Sequence, residues 1–493
     1  MLNLCGALPH FHYKLMKKTT WVPLAFLFSC SLSLQAQAKK WTLQECVNYA
    51  VENNISIKQT ELDGKTALID KKGAYGNFLP SLNANASHSW NIGLNQDITT
   101  GLLQNQTTQF TSAGATVGVD IYRGLQNQNT LRRANLSIVA AKYQLLKMQE
   151  DIALNVANAF LQVLFNKENL KVQQEQLSID EKQLTRSQEL VNAGTLPKGD
   201  LFDVKATLAS DNQRVINAEN LLLISRLSLA QLLQLEDFEN FDIVDDTDAK
   251  DENNILLETP TSIYAKAKDG RTELKIAQTN LEIAEKNVAI ARGGYQPTLQ
   301  GFYSFNSRVA YSDRVTGVVP NAANPTSVVG FVEGTNQNVL SPNFSRVLGN
   351  PAPFFDQFNS NKGQSFGIQL SVPIFNGFAA RNNVDRSKVA FERSKIALEQ
   401  QSLDLQRNVY TAFADAKGAL KSYESSLVAL ESRQESYNYA KERFDVGLMN
   451  AFDLSQSQTL LATAQSEVLR TKYDYIFKIK IVEFYFGIPI IKN

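Results

Sequence analysis

Beyond its first 38 residues this sequence has almost nothing that can cross-link, ligate or titrate near neutrality. Of 493 residues only 3 are Cys and 3 are His, and past residue 38 only Cys46 and His88 remain. A single cysteine excludes an internal disulfide and reads as a buried helix residue. No Ser-His-Asp constellation or metal-ligand cluster stands out, which argues against an enzyme and against a metal or other cofactor. No Gly-rich phosphate loop ending in Lys-Ser/Thr is present, so nucleotide is not the energy source. Lys plus Arg equal Asp plus Glu at 49 each, and no basic helix or aromatic-basic module speaks for nucleic acid. Past Ala38 there is no run of 18 apolar residues; Tyr473 to Ile491 comes nearest and is broken by Lys478, Lys480 and Glu483, so no membrane-spanning helix is expected. With only 13 Pro, long regular elements are expected.

The amino terminus has the charge, length and small-residue exit of a secretory signal peptide. Lys17 and Lys18 precede an apolar run from Trp21 to Leu34, then Ala36-Gln37-Ala38, with cleavage expected after Ala38. A start at Met16 would give that signal its usual length, leaving residues 1–15 as an extension. Cys30 invites a lipoprotein reading, but Phe28 is bulky where a small residue is preferred.

What is present is length and repetition. From Gln126 there is no Pro or Gly until Gly194, and at 1.5 Å per residue such a helix reaches about 100 Å. Val156, Val163, Leu170, Leu177, Leu184 and Val191 fall seven apart, one seam of a left-handed coiled coil. Asn155-Val156 to Phe160 recurs as Asn408-Val409 to Phe413, an offset of 253. The same offset carries Gly124 to Gly377, Gly194 to Gly447, and Asp200-Leu201 to Asp453-Leu454, the mark of an internal repeat. The seam returns as Val409, Ala416, Tyr423, Leu430, Tyr437 and Phe444.

Each copy opens with a helix, about Thr42 to Gly73 and Pro260 to Arg292, and changes period at a proline. From Leu82 the even positions are Leu82, Ala84, Ala86, His88, Trp90, Ile92 and Leu94, with Ser and Asn between them. This is a strand with one apolar and one wet face. Ala113 to Ile121, Leu299 to Tyr311 and Phe366 to Ile374 alternate in the same way. Four such strands, flanked by Trp90, Tyr122, Tyr303 and Tyr311, suit a transmembrane barrel wall facing lipid. Four cannot close a barrel, for which about eight are the practical minimum, so the barrel must be shared between chains.

The expected organisation is a signal peptide at 1–38, then a first repeat at 39–235. It holds strands at about 81–95 and 110–123, a long helix at 126–193 and a return helix at 200–235. An acidic linker covers 236–260, with nine acids and one lysine between Glu236 and Glu252; Asp246, Asp248 and Asp251 lack the glycine and glutamate of a calcium loop. The second repeat, 261–488, has strands at about 298–311 and 364–375 around a long loop at 312–363, then helices at 378–446 and 453–486. At each hairpin turn Gly194 or Gly447 ends one helix, and Asp200 or Asp453 is expected to cap the next.

The signal, the two repeats of helix, strand, strand, long helix and return helix, Leu370-Ser371-Val372-Pro373-Ile374-Phe375-Asn376-Gly377, and Val446-Gly447 to Asp453-Leu454 together resemble the TolC-like outer membrane efflux proteins. The resemblance implies a mainly α fold with a β-barrel portion. Three identical chains, a homotrimer, would form a 12-stranded transmembrane β-barrel on a long α-helical tunnel, lodged in the outer membrane and extending into the periplasm. It implies a passive exit duct for efflux or type I secretion, docked to a periplasmic adaptor and an inner membrane pump. Asp200 and Asp453 match the acidic ring at the family's periplasmic entrance; Asp203 lies a turn further on, and its counterpart is Gln456. Gly194, Leu196, Gly447 and Leu448, at the tips, are the expected adaptor contacts. The competing reading is a periplasmic coiled-coil adaptor or structural protein, which would have no use for the four amphipathic strands.

Overall fold

The computed structural model describes residues 40–96, 101–236, 238, 241–244 and 255–488. The expected signal peptide with Cys30, and the acids Asp246, Asp248 and Asp251, lie outside the described residues. In chain order come β1 (Lys40–Trp41), α1 (Leu43–Asn53), α2 (Ile55–Gly76), β2 (Ser81–Gln96), β3 (Leu103–Arg123), α3 (Gln126–Asn192), α4 (Lys198–Leu233) and β4 (Asp242–Ile243). There follow α5 (Pro260–Gly270), α6 (Thr272–Arg292), β5 (Thr298–Ala310), β6 (Arg314–Pro320), β7 (Thr326–Phe331), β8 (Asn338–Pro342), β9 (Phe344–Gly349), α7 (Phe354–Ser360), β10 (Gly363–Ser371), α8 (Ala379–Asp445) and α9 (Ala451–Phe486).

The helical hairpins of the two halves have equal lengths. α3 and α8 have 67 residues each, α4 and α9 have 36 each, and every boundary is displaced by the same 253 residues. α4 runs back along the far part of α3, where the Asn166 amide donates to the Leu221 carbonyl at 3.1 Å. α2 covers the near part, where the Asn127 amide donates to the Asn77 carbonyl at 3.1 Å. Asn54 joins the two short helices end to end: its side chain accepts from the Ser56 N–H at 2.9 Å, capping α2, and donates to the Leu232 carbonyl near the end of α4 at 3.0 Å.

The opening helices are thus broken, at Asn54 and at Arg271, where single helices were expected. Each break is one extended residue that leaves the apolar period intact, so the pattern runs through it unmarked. The Arg271 guanidinium is buried, bonds Glu150 at 3.2 Å and Glu273 at 2.8 Å, and lies 3.8 Å from the centre of the Phe484 ring, tying α3, α6 and α9 together. Around Val156, Phe160, Val163 and Leu164 the core gathers Val47, Ile57, Leu229 and Leu233. Cys46 is fully buried there, and that burial, aided by the charge of Glu45, pushes its thiol up to about 12.

Four expectations need correction. The 236–260 stretch is not wholly a solvated linker: Phe241 and Ile243 are buried, β4 pairs in parallel with β1, and Asp242 bonds Lys167 at 3.1 Å. The surrounding acids mask these two apolar residues in composition. The 312–363 loop holds two antiparallel pairs, β6 with β9 and β7 with β8, and the short helix α7. Its Asn, Gly and Pro punctuate the strands instead of replacing them. β3 starts at Leu103, well before 110, because Gln104 to Gln109 pair with β2 without any polar-apolar alternation to announce it. β10 stops at Ser371, since Pro373 has no N–H to give a ladder, and Ile374 is 96% exposed.

The four long strands form one antiparallel sheet in the order β10-β5-β3-β2. Its register lines Leu82, Val117, Tyr303 and Phe366 across one face, and Ser81, Gly118, Phe302 and Gly367 across the other. Along β2 the exposed residues alternate between Leu82, Trp90, Ile92 and Leu94 and a row of Ser and Asn. β2 and β10 each have only one neighbour in this sheet, leaving an unpaired edge on either side.

Strand and helix meet at Gly124 and Gly293. Gly124 has φ +57, and a Cβ on it would lie 2.3 Å from the Gly293 carbonyl oxygen; its counterpart Gly377, φ +62, faces open space. Gly124→Ala therefore incurs left-handed strain of about 1–2 kcal/mol and an overpacking cost of about 1–3 kcal/mol, whereas Gly377→Ala incurs the strain alone. Thermal melts followed by circular dichroism should show the larger Tm loss for Gly124→Ala; equal losses would contradict the close junction.

Candidate functional site

The two hairpin tips close in the same way. Gly194, φ +75, donates its N–H to the Val191 carbonyl at 3.1 Å, and Thr195 donates to Leu190 at 2.9 Å. Gly447, φ +77, and Leu448 repeat this with Phe444 at 3.0 Å and Arg443 at 2.8 Å. These paired bonds are a Schellman closure, which needs the left-handed residue that glycine provides. Leu196 is half-buried against its own turn, its N–H 3.3 Å from the Leu190 carbonyl, whereas Leu448 is 71% exposed.

The acids do not cap the return helices as expected. α4 begins after Pro197, so Asp200 stands in its first turn with no capping bond. For α9 the cap is Asn450, whose side chain accepts the Asp453 N–H at 2.8 Å. The motif's spacing hid this: the helices start two residues ahead of the acids, which puts the cap positions, Pro197 and Asn450, three ahead. Asp200 and Asp453 are half-buried at equivalent positions, favoured there by the helix dipole, and Asp203 is exposed one turn on.

Other residues join one hairpin to the other. Val204 packs with Ala440, Phe444, Ala451 and Leu454, and Leu184, Tyr437 and Met449 lie against them. Arg186 on α3 pairs with Asp445 on α8 at 2.7 Å, and Ser455 donates to Thr207 at 3.2 Å. Deeper in the bundle Asp180 and Asp211 are buried side by side, 3% and 1% exposed. Reading only the apolar seam overlooked both acids. Their signal is a second seven-residue row, three positions on: Asn166, Gln173, Asp180, Ser187 on α3 and Val204, Asp211, Ala218, Ser225 on α4. Among the described residues no three His, Cys, Asp or Glu side chains gather as a metal site, and no helix is long and apolar enough to cross a membrane.

The description that fits this architecture comes from comparison with known proteins. The profile of the outer membrane efflux protein family matches residues 46–234 and 263–477, one stretch on each repeat. The chain belongs to that family. As an outer membrane efflux protein it is a channel and not an enzyme, an exit duct in the outer membrane. It is 21% identical over 442 residues to the outer membrane protein TolC of Vibrio cholerae serotype O1, covering 89% of this chain and 88% of that one. Its fold is shared with the CmeC outer membrane channel of Campylobacter jejuni, with TM-score 0.72, 17% identity and coverage of 90% and 85%. It is shared also with the outer membrane protein VceC of V. cholerae, with TM-score 0.69, 12% identity and coverage of 90% and 96%.

The capping geometry makes a testable distinction at the second tip. Asn450→Ala removes the cap and should cost about 1 kcal/mol, fraying the first turn of α9, while Asp453→Ala keeps that bond. Amide hydrogen exchange at residues 451–454 should accelerate more in the Asn450 variant; the reverse order would assign the cap to Asp453.

Proposed function

We propose that three copies of this efflux protein close a 12-stranded barrel, continuous with a 12-helix tunnel that crosses the periplasm. The observation that carries this reading is a sheet apolar on one face and unpaired at both edges, joined to hairpins about 100 Å long. In hydrocarbon an open edge leaves N–H and C=O groups without partners, and four strands are too few to curl onto themselves. Identical neighbours supply the missing partners, β2 of one chain against β10 of the next. The Ser, Asn, Thr and Gly face then lines a wet lumen.

Such a duct is passive. Substrates enter from an inner membrane pump through a periplasmic adaptor, in an efflux or type I secretion assembly, and the pump supplies the energy. The tips are the periplasmic entrance. Gly194, Leu196, Gly447 and Leu448 meet the adaptor, and the exposed Leu448 makes the principal apolar contact. Asp200, Asp203 and Asp453 ring the entrance as a gate that favours cations. The capping geometry supports that role, because neither Asp200 nor Asp453 is occupied in capping its helix.

Leu448→Glu should abolish export in cells while assembled channels remain in the outer membrane; retained export would remove the tips as docking surface. Asp453→Asn should lower the cation-over-anion permeability ratio of single channels in planar bilayers, and an unchanged ratio would remove Asp453 from the gate.

A further inference from the structure

Roughly 18 Å before the end of α3, at 1.5 Å per residue, three helices meet at a buried polar knot. Asp180 of α3 and Asp211 of α4 lie together, and Gln176 donates to both, at 3.1 Å and 3.5 Å. Gln458 of α9, itself 3% exposed, reaches across from the second hairpin and donates to Asp180 Oδ1 at 3.0 Å. Arg214 of α4 pairs with Asp211 at 2.8 Å, while Asp180 has no salt bridge among the described residues. From α8 the knot is faced by Tyr437, whose phenol is pushed up by burial and by the charges of Asp180 and Asp445; Asp445 is held by Arg186.

One guanidinium for two buried carboxylates leaves a charge uncompensated. Burial, then the hydrogen bond and charge of Asp211, push Asp180 up to about 7 against the two amide donors. The second repeat has Arg433 and Ala464 at the corresponding positions, so a helical hairpin of this kind does not require the acid pair.

We infer that Asp180 and Asp211 form a proton-controlled latch, which clasps the second hairpin through Gln458 when the pair carries a proton and releases it when the proton is lost. With Asp180 protonated, its O–H donates to Asp211 while its oxygens accept from the amides, and the knot is complete. With both ionised, two buried anions face each other, and water must enter between α4 and α9. The Asp180 value in the packed bundle lies above its ordinary 3.8. The packed state therefore holds a proton that a parted one does not; the clasp is strongest below about pH 4 and is lost as pH rises through about 7. This rests on reading the tips as the duct's gate: acid favours the closed entrance and neutral to alkaline pH the open one.

The test uses the full assembled protein in detergent, with Ala193→Cys and Val446→Cys at exposed tip positions carrying spin labels; the buried Cys46 does not compete. Pulsed EPR should show the tip-to-tip distance shifting to longer values between pH 5 and pH 8. Adding Asp180→Asn, which mimics the protonated acid, should hold the short distance at both values and raise Tm at pH 8 but not at pH 5. A distance unchanged by pH, or a shift that persists in the Asp180 variant, overturns the latch. Because this readout needs no conduction, it decides the latch whether or not the protein forms pores.

Discussion

The structure depends on one constraint: a backbone hydrogen-bonding group cannot be left unpaired in lipid. β10-β5-β3-β2 satisfies it internally and fails it at β2 and β10. The face carrying Leu82, Val117, Tyr303 and Phe366 repels water along the whole width of the sheet, while the opposite face, Phe302 and Phe110 apart, is mostly Ser, Asn, Thr and Gly. A sheet of this kind is neither a soluble core nor a complete membrane wall. In the proposed trimer, repetition of the chain resolves both conditions, and the closed duct follows from that repetition.

The helical part meets a different requirement. A rod of 67 residues cannot be stabilised by its own ends, so nearly all its stability comes from neighbours along its length. Apolar packing dominates where the short helices abut, around Val156, Phe160 and Leu229. Towards the tips the fully buried positions on α3 become polar: Gln176, Asp180 and Ser187. Apolar residues would weld the hairpins permanently. A polar layer, with the Arg186–Asp445 pair beyond it, holds them by contacts that can be exchanged for water, which suits the gated entrance proposed above.

Much of this was legible in the residues. The 253-residue offset, the two-residue alternation from Leu82 to Leu94 and the glycines at 194 and 447 express steric and periodic rules that act locally. What escaped were features that are invisible to periodicity. Asn54 and Arg271 interrupt helices without interrupting the apolar pattern. Gln104 to Gln109 form a strand without alternating, because their partners lie in β2. Asn450 took the capping role expected of Asp453, since either residue type can cap and only backbone position decides. Asp180 and Asp211 become meaningful only when two helices bring them together across 31 residues of sequence.

The most direct test of the central claim is the mass of the intact particle. Native mass spectrometry of the mature protein, extracted from outer membranes in mild detergent, should give three copies per particle and no stable species of one. A particle of a single chain that still forms a conducting pore in a bilayer would contradict the account, because four strands would then have closed a wall by themselves.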